Sequence, residues 1–367
     1  MTRVLFFVLV LVLGLGCEEQ SASSETAANE TTAATPTTAT VSTTARSTWR
    51  EAFEVRDDVR DEGEVRVLSD VIAVGTRGLS LVGEPVALPE GALARRGDGT
   101  WLVATPNGLA VAANDRPSVR PNDVRAASAS VVNARFVEVD GRSLLLTIEE
   151  RIDGGRVASL GLRDGATLEE LASFLLASNA EGRGRPDVRL EGRELVVALP
   201  EDCAEGTCTA TRLERWSLDD PLQRRVIAQA FDDVSLDESG RFALVRTEAH
   251  RSVRVIDTHD GATRWTVSEY APRGESCGDD PGSMAWPEAM VLSPDGTRVA
   301  LVERGEALRM RVVRAISADD TDGSGDDAAS GSITELERAV EALPELAFAD
   351  AETLVVRGET LRVFRRR

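Results

Sequence analysis

Two of the four cysteines have a spacing that suits covalent chemistry with each other. Cys203 and Cys208 lie in PEDCAEGTC, a polar stretch that we expect to form a loop, and four residues separate them. A short separation favours a local disulfide in an oxidising compartment. Cys277 stands in another polar stretch and could pair with either of them. Free or metal-bound thiols are a third alternative, although no histidine stands near to complete a zinc set. The sequence therefore predicts a Cys203–Cys208 disulfide, with Cys277 as the alternative partner.

An acidic run, DDTDGSGDD at 319–327, offers oxygen ligands of the kind that calcium prefers. Asp320, Asp322 and Asp326 fall at the third, fifth and ninth positions of a calcium loop. Alanines, Ala318 and Ala329, occupy the first and twelfth positions, where a ligand and a bidentate glutamate belong. We expect a solvated acidic loop, favour no metal site, and keep the three aspartates as weak calcium candidates.

The stretch at 271–289, APRGESCGDDPGSMAWPEA, combines an aromatic platform with acidic groups. Trp286 could stack on a sugar or a flat ligand, and Asp279 and Asp280 could accept its hydrogen bonds. These three residues are the ligand-binding candidates.

Catalytic motifs of the hydrolase, metalloprotease and P-loop types do not occur in the sequence. Its two histidines, His250 and His259, stand in hairpin-turn patterns, and neither resembles a general base. We expect no enzyme, no catalytic residue and no cofactor.

The charge balance limits the partners. The chain has 62 acidic and 42 basic residues, a formal charge of -20, which repels nucleic-acid phosphates and anionic lipid. All basic residues are arginine, which we interpret as a codon bias on solvated faces.

The N-terminus has the pattern of an export signal: Arg3, an apolar run from Val4 to Leu13, and small residues before Cys17. GLGC at 14–17 resembles the lipobox of bacterial lipoproteins, with Gly14 where that family prefers leucine. The resemblance implies lipidation of Cys17 and a place at the cell envelope, periplasmic or surface-exposed; an ordinary cleaved signal is the alternative.

Three segments follow from composition. Residues 1–17 form the signal peptide, and residues 18–47, rich in Thr, Ala, Ser and Glu, predict a disordered tether. Residues 48–367 form the folded domain.

The folded domain repeats one unit, an apolar strand, an acidic-Gly turn and further alternating strands. Seven copies begin near Val65, Leu93, Phe136, Val188, Val234, Val291 and Ala347. VLSPDGTRVALV, from Val291, resembles the repeat core of WD40-like and TolB-type β-propellers, and VIDTHDGATRWTV, from Val255, resembles a segment of WD40 and PQQ-type propellers. The resemblance implies an all-β, seven-bladed β-propeller, with six or eight blades as alternatives.

The last repeat ends one strand early, so WREAFEV at 49–55 is predicted to complete it and close the ring. Segments 166–178 and 332–346 have helical spacing with capping boxes, Thr167 with Glu170 and Ser332 with Glu335. Both fall where the repeat places a fourth strand, and we favour strands.

The lipobox and propeller resemblances together imply a membrane-anchored interaction or scaffolding module with an envelope protein as partner. The alternative is a small-molecule or glycan-binding propeller that uses the 271–289 stretch.

Overall fold

The computed structural model describes residues 48–55, 65–113, 130–152, 156–179, 186–204, 207–220, 223–247, 252–269, 286–304, 307–315 and 332–367. Every described residue belongs to one compact unit, Ala45–Arg367. The predicted signal peptide, Cys17 and the predicted tether therefore lie outside the described residues.

The described residues form β-strands joined by turns, and no helix among them is long and apolar enough to cross a membrane. Strand β1 is Trp49–Val55. Blade 1 contains β2 (Val65–Leu68), β3 (Val71–Val74), β4 (Arg77–Ser80) and β5 (Pro85–Val86). Blade 2 contains β6 (Ala92–Arg95), β7 (Trp101–Thr105) and β8 (Gly108–Ala112). Blade 3 contains β9 (Ser130–Val139), β10 (Arg142–Ile152), β11 (Arg156–Asp164) and β12 (Glu170–Asn179).

The remaining blades follow the same order. Blade 4 contains β13 (Asp187–Glu191), β14 (Glu194–Ala204), β15 (Thr207–Ser217) and β16 (Arg224–Phe231). Blade 5 contains β17 (Asp233–Leu236), β18 (Phe242–Thr247), β19 (Ser252–Asp257) and β20 (Thr263–Glu269). Blade 6 contains β21 (Trp286–Leu292), β22 (Arg298–Arg304), β23 (Leu308–Ala315) and β24 (Ser332–Val340). Blade 7 contains β25 (Glu345–Asp350), β26 (Thr353–Arg357) and β27 (Leu361–Arg366), with β1 outside β27.

Each blade is an antiparallel sheet whose strands follow one another in the chain, apart from β1. The apolar core lies between blades. Among the described residues, seven buried clusters each contain side chains of two neighbouring blades. One of these clusters packs Val355 and Val363 of blade 7 against Ile72 and Val74 of blade 1. The last blade thus contacts the first, and the described residues form the predicted seven-bladed β-propeller.

Turn glycines set how closely neighbouring blades approach. Gly296, between β21 and β22, has a φ of 70°, a conformation that glycine adopts without the strain of a Cβ. A Cβ there would lie 2.2 Å from the Phe242 ring of the preceding blade. Gly240 of blade 5 repeats this arrangement against Arg189 of blade 4, with a φ of 75°. The Asp-Gly turn of the repeat therefore also serves inter-blade packing.

The two segments with helical spacing are strands, as we favoured: β12 and β24 are the outermost strands of blades 3 and 6. Ser332 and Glu170 of the two capping boxes bind a neighbouring blade and a neighbouring strand instead. Ser332 Oγ donates to the carbonyl of Val267 in blade 5 at 2.9 Å, and Glu170 accepts a bond from Arg163 at 3.0 Å. Pairing with a neighbouring strand outweighed helix propensity.

Strand β1 closes the ring, with the bounds that the sequence predicted. It pairs antiparallel to β27, from Trp49 opposite Arg366 to Val55 opposite Leu361. The Trp49 side chain is only 2% exposed and meets the Phe348 ring edge-on, with 6.3 Å between ring centroids.

A buried carboxylate fastens this closing strand. Glu335 lies at a bulge of β24, and its Oε2 accepts bonds from Trp49 Nε1 at 2.9 Å and from Arg298 Nε at 3.0 Å. Its Oε1 accepts from Arg314 Nε at 3.1 Å and forms an ion pair with Arg366 at 3.5 Å. One glutamate therefore ties β1 to strands of blades 6 and 7. We call Glu335 and these four partners the closing cluster.

The closing strand can be tested by two truncations. Deleting residues 18–46 should leave the melting temperature unchanged, because the described contacts begin at Thr48. Extending the deletion through Val55 removes the β1–β27 ladder and the burial of Trp49, a loss on the order of several kcal/mol. Thermal unfolding should show a much lower midpoint, or aggregation through the open strand edge. Equal midpoints for the two variants would contradict this closure.

Candidate functional site

The first strand of every blade faces the central channel of the propeller. These strands enclose a cavity of about 870 Å³, within the volume range of small-molecule sites. All seven blades contribute to its wall, so the cavity exists only when the ring is closed.

Charged side chains of the wall come from blades 1 to 5. Its arginines are Arg66, Arg95, Arg96, Arg135 and Arg189, and its acidic residues are Glu138, Asp187 and Glu238. Five guanidinium groups in one cavity are unusual for a chain whose formal charge is -20.

Arg135, on β9, has only a long ion pair to compensate its charge. Among the described residues, the carboxylate that forms an ion pair with it is Glu238, at 3.7 Å from Nη1, and this buried Nη1 has no hydrogen-bond partner there. Burial and the positive charge of Arg189 together lower the pKa of Arg135 to about 10, against the opposing effect of Asp187, Glu238 and Asp237. The guanidinium of Arg135 thus stands next to a like charge in a partly desolvated place.

The other wall arginines have nearer partners. Arg96 donates to Asp98 at 2.6 Å, which raises the pKa of Arg96 and holds the pKa of Asp98 well below its usual range. Arg189 pairs with Asp187, and Arg95 pairs with Asp70. Arg66 donates to the carbonyl of Ala92 at 2.8 Å, and no carboxylate among the described residues forms an ion pair with it.

The opposite sector of the wall is apolar. Blades 6 and 7 contribute no charged side chain among the residues that line the cavity. Their lining residues are Val291, Leu292, Pro294, Leu346, Ala347, Phe348 and Ala349. The channel therefore has a basic side and an apolar side, and we call these the basic wall and the apolar wall.

The structure brings the two predicted disulfide partners together. Cys203 on β14 and Cys208 on β15 lie directly opposite each other in the ladder. Opposed residues of antiparallel strands have Cα atoms about 4.5–5.5 Å apart, within the 4.4–6.8 Å that a disulfide usually spans. The expected loop was wrong, because the ladder continues to Ala204 and Thr207. The bond itself stays a prediction.

Most of the other residues that the sequence analysis singled out lie outside the described part of the chain. Cys277, Asp279, Asp280, Asp320, Asp322 and Asp326 lie outside the described residues, as does His250. Trp286 is the first residue of β21. His259 is exposed in the turn between β19 and β20. Among the described residues, no group of three or more His, Cys, Asp or Glu side chains could hold a metal ion.

Sequence reasoning missed the basic wall. A signal was present, because an arginine stands in the first strand of each of blades 1 to 4. Aligning only the first strands of the repeats would have shown it.

The fold defines the class of the chain: a seven-bladed β-propeller. No known protein family matches the sequence, and no curated protein does. The structure of BBS1N in complex with ARL6DN aligns with a TM-score of 0.52 and 12% identity, over 88% of this chain and 98% of that one.

Hydrazine synthase of Kuenenia stuttgartiensis aligns with a TM-score of 0.50 and 13% identity, over 85% of this chain and 97% of that one. The Cps50 (Swd1) β-propeller domain of Myceliophteria thermophila gives a TM-score of 0.44 and 13% identity, over 86% and 99%. Identities this low concern the fold alone. One of these structures is a synthase and another is a protein in complex with a partner, so the fold alone does not distinguish an enzyme from a binding module.

The disulfide has a direct test. Peptide mapping without reductant should recover Cys203 and Cys208 in one linked pair, because the ladder places them opposite each other. A Cys277→Ser variant should give the same linked pair. Recovery of a bridged peptide that contains Cys277 would contradict local pairing.

Proposed function

We propose that the chain is an exported protein, anchored by a lipid on Cys17, whose propeller serves as a protein-interaction or scaffolding module of the cell envelope. β-Propellers are commonly interaction scaffolds, because a rigid ring presents several surfaces at once. The lipobox-like segment GLGC supports the anchor. The Thr- and Ala-rich stretch at 18–47 supports a flexible spacer between anchor and ring. We propose no enzymatic activity.

The observation that favours a protein partner is on the outermost strand of blade 3. Leu171 and Leu175 of β12 are 44% and 56% exposed, with the exposed Ser173 between them on the same face. Single exposed leucines are ordinary on protein surfaces. Two on one strand face, in a chain of high negative charge, form an apolar strip that a protein partner would cover.

The net charge of the chain further limits the classes of molecule that could be its partner. A formal charge of -20 opposes nucleic acid and anionic lipid surfaces. The proposed membrane contact is therefore the acyl chain alone, and the propeller itself engages protein.

The proposed lipid anchor can be tested by substituting Cys17. In the organism's own export pathway, the wild-type protein should partition into detergent and carry acyl chains by mass spectrometry, because burial of acyl CH₂ groups drives membrane attachment. A Cys17→Ser variant should lose both properties, and a Cys277→Ser variant should keep them. Acylated Cys17→Ser protein would contradict the anchor.

The partner surface is tested by charge insertion on β12. Leu171→Asp with Leu175→Asp should abolish capture of any envelope protein that the wild type retains, because a buried unpaired carboxylate opposes association. A matched control, Val82→Asp with Leu343→Asp, changes two other exposed apolar residues, at 63% and 47% exposure. Partners lost equally from both variants would contradict a surface on blade 3.

A further inference from the structure

We propose that the central channel binds a small amphiphilic anion, with its carboxylate or phosphate at Arg135 of the basic wall and its apolar part on the apolar wall. This inference goes beyond the proposed function, because it concerns a ligand inside the ring and not a partner on its outer surface.

The first support is the distribution of charge around the cavity. Arginines project from blades 1 to 4, whereas blades 6 and 7 line the same cavity with apolar residues only. A ligand with one charged end and one apolar end matches both sides at once. A purely polar ion would leave the apolar wall hydrated, and a neutral apolar molecule would add no counter-charge at Arg135, whose ion pair with Glu238 is long.

The second support is the environment of Arg135. Within the described part of the chain its one ion pair is with Glu238, which is 3.7 Å away and 67% exposed and so compensates the charge of Arg135 weakly, while Asp187 is already paired with Arg189. In that same part of the chain, the buried Nη1 atom has no hydrogen-bond partner. An anion oxygen at this atom would complete a charge-assisted hydrogen bond, and it would relieve the repulsion between Arg135 and Arg189.

The third support is size. A cavity of about 870 Å³ is large enough for a ligand with a chain of several carbons or one or two rings. Carboxylates and phosphates share the oxygen chemistry that a guanidinium fork binds, and the two head groups are distinguished below by separate probes.

Isothermal titration calorimetry of the full chain tests the proposal with four probes. Sodium octanoate and octyl phosphate carry an anionic head and an apolar tail, octanamide is the neutral counterpart, and acetate lacks the tail. We expect binding of octanoate, octyl phosphate or both, with octanamide and acetate at least about tenfold weaker. The stronger of the two anions identifies the head group.

An Arg135→Gln variant should bind the preferred anion roughly 10- to 100-fold more weakly, because a hydrogen bond to a charged group is lost. An Arg309→Gln variant should bind as the wild type does, since Arg309 is exposed and pairs with Glu337 outside the cavity wall. The melting temperature of Arg135→Gln should equal or exceed that of the wild type, because the change removes a repelled, partly buried charge. This midpoint also shows that the variant is folded.

Three results would overturn the proposal: no binding of either anion at millimolar concentration, equal binding of octanamide, or unchanged affinity in Arg135→Gln. None of these results depends on Cys17 or on Leu171 and Leu175. Failure here would therefore leave the proposed function standing, and failure of partner capture would leave the channel site standing.

Discussion

The pairing of β1 with β27 is the interaction on which the rest of the propeller depends. Without β1, blade 7 would expose the unpaired backbone groups of β27, and the cluster around Trp49 would lose its largest side chain. Blade 7 is also the neighbour of blade 1, so its integrity decides whether the cluster between these two blades forms. The channel, whose wall takes residues from all seven blades, exists only as a consequence of that closure.

Buried ion pairs support the blades from within. The side chains of Arg163 and Glu149 are each 3% exposed, and the two charged groups lie 2.8 Å apart. The Glu335 carboxylate contacts three arginines and the indole of Trp49. We expected the arginines on solvated faces, and that was wrong for Arg163 and Arg298, which are 2% and 8% exposed. A guanidinium donates along several directions in one plane, so it satisfies carboxylates and carbonyls inside a sheet stack as an ammonium cannot. Such pairs are costly to break rather than strongly stabilising, and they therefore fix the alignment of strands more than they add stability.

The repeat could be predicted from the sequence because each blade has a short local signature. The number of blades, the closing strand at 49–55 and the strands at β12 and β24 all follow from the position of apolar strands and acidic-Gly turns. The cysteine hairpin was expected as a loop, since its residues are polar, and only the ladder shows that Cys203 and Cys208 are opposed. The channel site was not predicted because Arg66, Arg135 and Arg189 are far apart in the chain. The circular arrangement of the blades brings them to one wall, and the sequence sign of it, an arginine in the first strand of each of blades 1 to 4, becomes visible only when those strands are aligned with one another.

The position of β1 also determines how the ring responds to mechanical load. A pulling force applied through the chain before Thr48 enters the fold at the Trp49 end of β1, opposite Arg366. At that end, the indole of Trp49 is hydrogen-bonded to Glu335, and the carbonyl of Thr48 accepts a bond from the amide of Arg367. Tension therefore meets the closing cluster before it reaches the strand pairs nearer Val55. The strand that seals the propeller is thus held by buried side-chain bonds at the point where a load on the N-terminal segment would begin to peel it away.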